Sequence, residues 1–531
     1  MRLRMWTYDI AREQCPTHEY LDGLCKLSLE SGYNALGLYL EHRFAYPSTP
    51  WVHGKHILTP EIIQALQKEY KELQLVPFIN LLGHFEGFIY TEKGSPYACE
   101  RFTGMQADPT NEGFKKLCHQ LIDDTVSIFN SELIHIGGDE TQQLGKGAAS
   151  EAKVKEFEAS GIEDGKAELY GKHFGEMAEK VIELGRVPGV WGDMFFEHPT
   201  ALQHLPKETI VFDWQYFHSP ELTSRQFLDA GYKTVFCPTI FTYSATWCHL
   251  PQSERNIVEH AVAAETMGAE GVCVTTWECG LMGNYNTLLP AIEGAGHILS
   301  NPPETIDFAK TKEESYELYK GLRDAPILLK SYLKAGEPRE DWARIMGCEL
   351  QEVGGFWEFT GIRSSLKSRL LMYSNPFLLW LRNREGLAKP GADEALLVAK
   401  KAMAFAMSSD ERGVCQFVEK AIEFVHFAEL AHQAYADGKP GEAITYLSPC
   451  RQIFEELEKV AVASHINSCG SLADIERCKR AKKHVEEVIL RVKAYGAGAL
   501  GYLPSFETLT HPKFMPHDQA NWWLINSWAN E

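Results

Sequence analysis

The sequence predicts an α/β fold, a (β/α)8 TIM barrel over residues 1–302 followed by a C-terminal α-helical domain over 303–531. Three observations predict it. Eight short apolar runs alternate with longer amphipathic segments through the first part of the chain, which is the count for a closed barrel. Glycines that stop helices recur at Gly32, Gly185, Gly231 and Gly268, each after a helical pattern and before an apolar run. Past Pro302-Pro303 the β-branched runs thin out and helical patterns dominate.

The expected strands are Leu3–Tyr8, Ala35–Leu40, Val76–Leu81, Leu133–Ile136, Val187–Trp191, Ile210–Trp214, Thr234–Cys237 and Val272–Trp277. Each is a near-continuous apolar stretch, as a parallel strand covered on both faces requires. Between them lie helical patterns such as Glu19–Ser31, Pro60–Glu72, Glu112–Phe129, Lys166–Leu184 and Ser253–Met267. A doubly wound open sheet is the competing architecture. It usually carries a Gly-rich phosphate turn after its first strand, and no G-x-G-x-x-G follows Tyr8. In the second half, helices are expected at Lys312–Leu322, Asp341–Gln351, Glu394–Met407, Val414–Ala436, Gly441–Val460 and Leu472–Tyr495. The final segment, Tyr502 to Glu531, holds Trp522, Trp523 and Trp528, too many large aromatics for a disordered tail. Packing is its expected role, with a homodimer contact or the mouth of a pocket as the other readings.

Net charge is −20, which argues against nucleic acid or an anionic membrane as partner, since both select for a Lys/Arg surplus. No stretch reaches the ~18 apolar residues of a membrane span, and no signal-peptide core follows Arg2 and Arg4. The 13 cysteines are scattered without a Cys-x-x-Cys pair, so reduced thiols in the cytoplasm are the expected state.

The most informative stretch is Leu133-Ile134-His135-Ile136-Gly137-Gly138-Asp139-Glu140. It reads as a buried strand that stops at two glycines and presents two adjacent carboxylates. Unpaired buried charges are costly, so placing two where a strand ends suggests chemistry. The plain alternative is a helix start, with Asp139 as N-cap and Glu140 in the first turn. Barrel active sites lie at the C-terminal strand ends, and there the other strands deliver Asp9 and Arg12, Glu41-His42, Gly83-His84, Trp191-Gly192-Asp193, Asp213-Trp214-Gln215-Tyr216, Tyr243 and Trp247, and Trp277-Glu278. Carboxylates, an arginine and indoles together suit a carbohydrate: hydroxyls take directional hydrogen bonds, and pyranose C–H faces stack on tryptophan. Singly, each has a plainer reading. The tryptophans can be barrel-filling bulk, Arg12 can pair with Asp9, His84 can cap a loop, and Asp193 can begin a helix.

These residues resemble glycoside hydrolase family 20, the β-N-acetylhexosaminidases. His135-Ile-Gly-Gly-Asp139-Glu140 is similar to its signature, Asp9-x-x-Arg12 to its first-strand sugar-binding arginine, and Gly83-His84 to its strand-three pair. The string Gly83-His84-Phe85-Glu86, with the chain leading straight into the barrel, resembles the short hexosaminidase D-like branch. The chain departs from the family in lacking its preliminary α+β domain. It also has Glu41-His42 where strand two commonly ends Asp-Asp, and Trp277-Glu278 with no residue between.

The resemblance implies retaining, substrate-assisted hydrolysis of a terminal β-linked N-acetylglucosamine or N-acetylgalactosamine from a small glycoside or oligosaccharide, with no cofactor and no metal. It makes Glu140 the general acid and base and Asp139 the partner of the substrate acetamido group. Substrate would be bound by Arg12, His84, Trp191, Asp193, Trp214, Tyr243, Trp277 and Glu278, with Tyr216 the substitute for Tyr243. Two other classes stay open: a metal-dependent barrel hydrolase using His135, Asp139 and His84, and a sugar-binding barrel without catalysis.

Overall fold

The structure is a computed structural model that describes all residues except 12–15, 55–56, 101–104, 243–246, 278–283, 304–327, 329–330, 333–338, 354–388, 468–471 and 502–531. Arg12, Tyr243, Glu278, the Lys312–Leu322 helix and the Trp-rich segment therefore lie outside the described residues.

Eight parallel strands close on themselves. They are β1 Leu3–Asp9, β2 Ala35–Tyr39, β3 Gln74–Phe78, β4 Leu133–His135, β5 Val187–Trp191, β6 Ile210–Trp214, β7 Lys233–Cys237 and, last, β9 Gly271–Thr276; β8, Thr239–Ile240, merely prolongs β7 along β9. The ring shuts where β1 pairs with β9 in the register Leu3↔Gly271 to Trp6↔Val274. That closure removes the edges an open sheet would leave, so the competing architecture is excluded. The expected strands match to within a few residues, β5 and β6 without any change. The third differs most: the ladder ends at Tyr39↔Phe78, and Asn80 has turned to donate to the Tyr39 hydroxyl at 2.9 Å.

Helices wrap the ring where the amphipathic patterns are. Among them are His18–Glu30, Pro60–Glu69, Glu112–Ile128, Gly165–Glu183 and Leu250–Met267, with Asn284–Ser300 after the last strand. Thr17, Asn111, Asp164 and His249 cap four of these N-termini through their side chains. The strand side chains that point inward form a separate apolar core: Met5, Tyr39, Val76, Phe78, Leu133, Trp191, Phe212, Val235, Cys237 and Cys273 among them. The barrel is thus a packed solid, and a ligand has access only at its ends.

Beyond the barrel, long helices run Lys389–Met403, Ser409–Ala436, Pro440–Asn467 and Leu472–Gly496. They share one core with the outer barrel helices. Trp342 packs on Trp247 with ring centroids 4.6 Å apart, the Tyr332 hydroxyl donates to the Thr287 carbonyl at 2.8 Å, and Asn286 donates to Asp410 at 2.9 Å. Ser408 and Glu411 form a reciprocal capping box that starts the second of these helices. All ten described cysteines are free thiols, and no described helix is long and apolar enough to cross a membrane.

Candidate active site

The two glycines after β4 let the chain turn out of the barrel. Gly137 and Gly138 have φ of +80° and +111°, and a Cβ on Gly138 would sit 2.8 Å from the Tyr170 hydroxyl oxygen. That hydroxyl donates to the Gly138 carbonyl at 2.7 Å, so backbone and helix are in direct contact there. Glu140 follows with φ +48°, left-handed for a residue with a Cβ, and the next helix starts only at Ala148. The helix-start reading of Asp139 and Glu140 is therefore overturned; the segment is a strained turn at the rim.

Both carboxylates meet His84. Its Nε2 lies 3.1 Å from Glu140 Oε2 and 3.3 Å from Asp139 Oδ2. Asp139 is 13% exposed and Glu140 42%, so one is set deep and the other reaches outward. His84 is itself left-handed, φ +49°. Gly83 before it is a contact glycine: a Cβ there would lie 2.5 Å from the Asp139 carbonyl oxygen. Burial alone would push the His84 imidazole toward neutrality. The Asp139 and Glu140 carboxylates outweigh that and hold its pKa well above the usual histidine value.

Asp193 closes the other side. Its Oδ2 accepts the Glu140 backbone N–H at 2.9 Å and its Oδ1 accepts the Trp214 indole N–H at 3.3 Å. It stands just before the short helix Met194–Glu197, yet its side chain makes no capping bond and serves the site instead. Burial, then the charge of Asp139, pushes its carboxyl well above the ordinary range despite those donors.

The tryptophans divide. Trp191 is 1% exposed and packs among Phe78, His135 and Phe212 as the upper layer of the barrel filling. Its indole N–H has no partner among the described residues. Trp214 and Trp277 are only partly buried. Trp277 stands 6.2 Å from Trp191 and edge-on to Tyr39 at 4.9 Å, and donates to the Tyr216 hydroxyl at 2.8 Å; Tyr216 in turn lies 5.2 Å from Trp214. Tyr216 thus joins the site's aromatic wall. Tyr39 is a residue the sequence reading missed; the available signal was its position as the last inward-facing residue of β2.

Asp213 turns away from the ligand side, accepting from Gln215, Thr223 and Ser224 to brace the loop after β6. The metal set His135, Asp139 and His84 does not assemble. His135 lies inside the barrel, stacked on Phe78 at 4.3 Å, and burial drives its pKa well down. A different trio, Glu41, His84 and Glu86, has one donor atom each within 4.8 Å of the others, all buried. Of its imidazole, Nε2 is engaged with the Asp139 and Glu140 carboxylates, and Nδ1 is buried with no hydrogen-bond partner among the described residues.

Paired carboxylates, an imidazole and indoles thus meet at the C-terminal rim of a parallel barrel, where barrel active sites lie. In comparison with known proteins, residues 59–274 match Glycosyl hydrolase family 20, catalytic domain. Over those residues the barrel is similar to a glycoside hydrolase catalytic domain. A search of the curated proteins found no match. Among solved structures, the chain is similar to the exo-β-N-acetylglucosaminidase of Vibrio harveyi in complex with N-acetylglucosamine (16% identity, 61% of this chain and 58% of that one, TM-score 0.47). It is also similar to a β-N-acetylhexosaminidase of Bacteroides fragilis (15%, 60% and 70%, TM-score 0.46) and to a chitobiase of Flavobacterium johnsoniae (16%, 91% and 78%, TM-score 0.46). The chain spans less than two thirds of the length of the Vibrio enzyme.

Proposed function

We propose that the protein is an exo-acting, retaining β-N-acetylhexosaminidase that removes terminal β-linked N-acetylglucosamine or N-acetylgalactosamine by substrate-assisted catalysis. The observation that carries the reading is the pair Asp139 and Glu140 at unequal depth, bridged by His84 and joined through Asp193 to the Trp214 indole. The string Gly83-His84-Phe85-Glu86 supports the finer placement in the hexosaminidase D-like branch. The unit that performs the reaction is the barrel, residues 1–302, with the helices of 303–531 as its support.

In the first step the substrate's acetamido oxygen attacks the anomeric carbon while the bond to the leaving oxygen breaks. Glu140, the more exposed carboxyl, delivers the proton that the leaving oxygen takes. Asp139, set deeper, accepts the acetamido N–H and offsets the positive charge developing on the resulting oxazoline ring. Glu140 then removes a proton from water, which attacks the anomeric carbon and reopens the ring with retention. His84 touches both carboxylates and Asp193 holds the Glu140 backbone N–H, so these groups keep the general acid in place. Trp214 and Trp277 stack against the sugar, Trp191 floors the pocket with an N–H that has no partner among the described residues, and Arg12 and Glu278 hold ring hydroxyls. Tyr243, or Tyr216, donates to the acetamido carbonyl.

The test compares aryl N-acetylglucosaminides and galactosaminides with their non-acetylated counterparts. The acetamido sugars are expected to turn over and the simple glucoside and galactoside to be nearly inert, because they lack the internal nucleophile. Equal rates on both sets would defeat the mechanism. Glu140→Gln is expected to lose at least about two orders of magnitude on a glycoside with a poor leaving group, and much less with an activated aryl group.

A further inference from the structure

We propose that Gln106 and Gln143 form a positioning clamp that sets the orientation of the Glu140 carboxylate; the inference rests on Glu140 being the general acid. The two residues lie on the loops after β3 and β4, far apart in sequence and both buried. Their bonding is reciprocal. The Gln106 backbone N–H donates to Gln143 Oε1 at 3.2 Å, and the Gln143 backbone N–H donates to Gln106 Oε1 at 3.0 Å. Each side chain thus does for the other loop what a neighbouring strand would do in a ladder.

The clamp belongs to a closed circuit of bonds around the catalytic pair. Leu82 and Phe85, which flank Gly83-His84, are tied to Ala107 and Met105: the Ala107 N–H donates to the Leu82 carbonyl at 3.0 Å and the Phe85 N–H to the Met105 carbonyl at 2.8 Å. Gln106 stands between those two anchor points and reaches Gln143. From Gln143 the chain runs back through Gln142, whose N–H donates to the Glu140 carbonyl at 2.8 Å. The circuit closes across the 3.1 Å contact between Glu140 and His84. Further bonds brace it: Gln143 Nε2 donates to Glu100 at 2.7 Å, and the Cys99 thiol donates to the Lys146 carbonyl at 2.6 Å.

Two features show why the chain needs such a device here. Glu140 and His84 both hold left-handed backbone conformations that side-chain-bearing residues resist, and these persist only where the surroundings over-determine them. Gly83 meets the Asp139 carbonyl without room for a Cβ, so the two loops touch along their backbones and must be kept in register. The residue type is also informative. Each position needs an acceptor for a buried N–H, and an amide supplies it without adding another negative charge behind an acid-rich pocket. Gln106 Nε2 is buried without a partner among the described residues, and what the side chain gives there is its oxygen.

The experiment measures kcat and KM for Gln106→Leu, Gln143→Leu and the double variant on two acetamido glycosides, one with an activated aryl leaving group and one with a poor alkyl or sugar leaving group. A misaimed acid is expected to lower kcat for the poor leaving group between about tenfold and a hundredfold, with a much smaller loss on the activated substrate and little change in KM. The double variant should be no worse than either single one, because both break the same clamp. Equal losses on the two substrates, or wild-type rates in folded variants, would overturn the proposal. Should the leucine variants fail to fold, Gln106→Met and Gln143→Met decide: each removes the acceptor while keeping the length of the side chain and adding no charge, so each must shift the ratio between the two substrates, and an unchanged ratio counts against the clamp. Glu140→Gln run alongside separates the two failures. If Glu140→Gln shows no leaving-group dependence, the assignment of the acid falls and the clamp with it; if it does and the Gln variants do not, only the clamp falls.

Discussion

Two buried histidines, His135 inside the barrel and His84 at its rim, show how differently the two zones use the same side chain. His135 is stacked on Phe78 and edge-on to Phe212, and its Nδ1 accepts the Gly137 N–H at 3.1 Å; burial makes it neutral. His84 is nearly as buried, yet against that burial two carboxylates hold its pKa well above the ordinary histidine value. The interior is apolar and in relaxed strand geometry. The rim gathers Glu41, His84 and Glu140, which are the non-glycine residues with positive φ among the described residues. Strain and charge are thus confined to one layer, supported by a packed layer beneath that carries neither. Stability and chemistry are divided along the barrel axis.

The sharpest way to break this division is at the carboxylate set deepest in the rim. Asp139→Asn is expected to lower kcat by about two to three orders of magnitude, since it removes charge that stabilises the transition state. Thermal unfolding should show the protein still folded; a variant with near-normal turnover would mean that the charge at this depth is structural.

His84→Gln is expected to act next most strongly, by about one to two orders of magnitude on kcat, the scale of a misplaced catalytic group. It carries a second signature. A histidine whose folded pKa is raised contributes stability that is fully present below the unfolded value of about 6.5 and is lost as pH rises through the folded value. The wild type should therefore unfold at a higher temperature than His84→Gln near pH 6, with the gap closing in alkali. A gap that widens with pH would show that the imidazole is not held cationic.

Tyr216→Phe removes the acceptor for the Trp277 indole N–H. One hydrogen bond of this kind is worth about 1 kcal/mol, so kcat/KM should fall about fivefold, read in steady-state kinetics. The interior substitution is expected to affect activity least. His135→Phe leaves the Gly137 N–H without its acceptor and should cost about 1–3 kcal/mol in denaturant unfolding, while changing kcat by less than about twofold. A large loss of activity in a stable His135→Phe would erase the contrast between the layers.

Much of this was legible before any coordinates. Parallel strands buried on both faces are near-continuous apolar runs, so the strands fell within a few residues of their expected bounds, and glycine stops marked four helix ends. Asp139, Glu140, Asp193, Trp214 and Trp277 were readable because a closed parallel ring delivers every strand's C-terminal residues to one face. Tyr39 was missed because an inward aromatic at a strand end reads as core. The left-handed turn at Glu140 was also hidden: Asp followed by Glu after two glycines is equally good grammar for a helix start.

The sequence by itself determined the alternation of strand and helix, and with it which end of the barrel would carry the polar residues. Local periodicity and turn chemistry encode those features within short stretches of chain. Only the tertiary structure decided that His84 meets both carboxylates and that Gln106 reaches Gln143. Those contacts join residues dozens of positions apart, and their geometry is fixed by how two loops fit against each other, which no local pattern records.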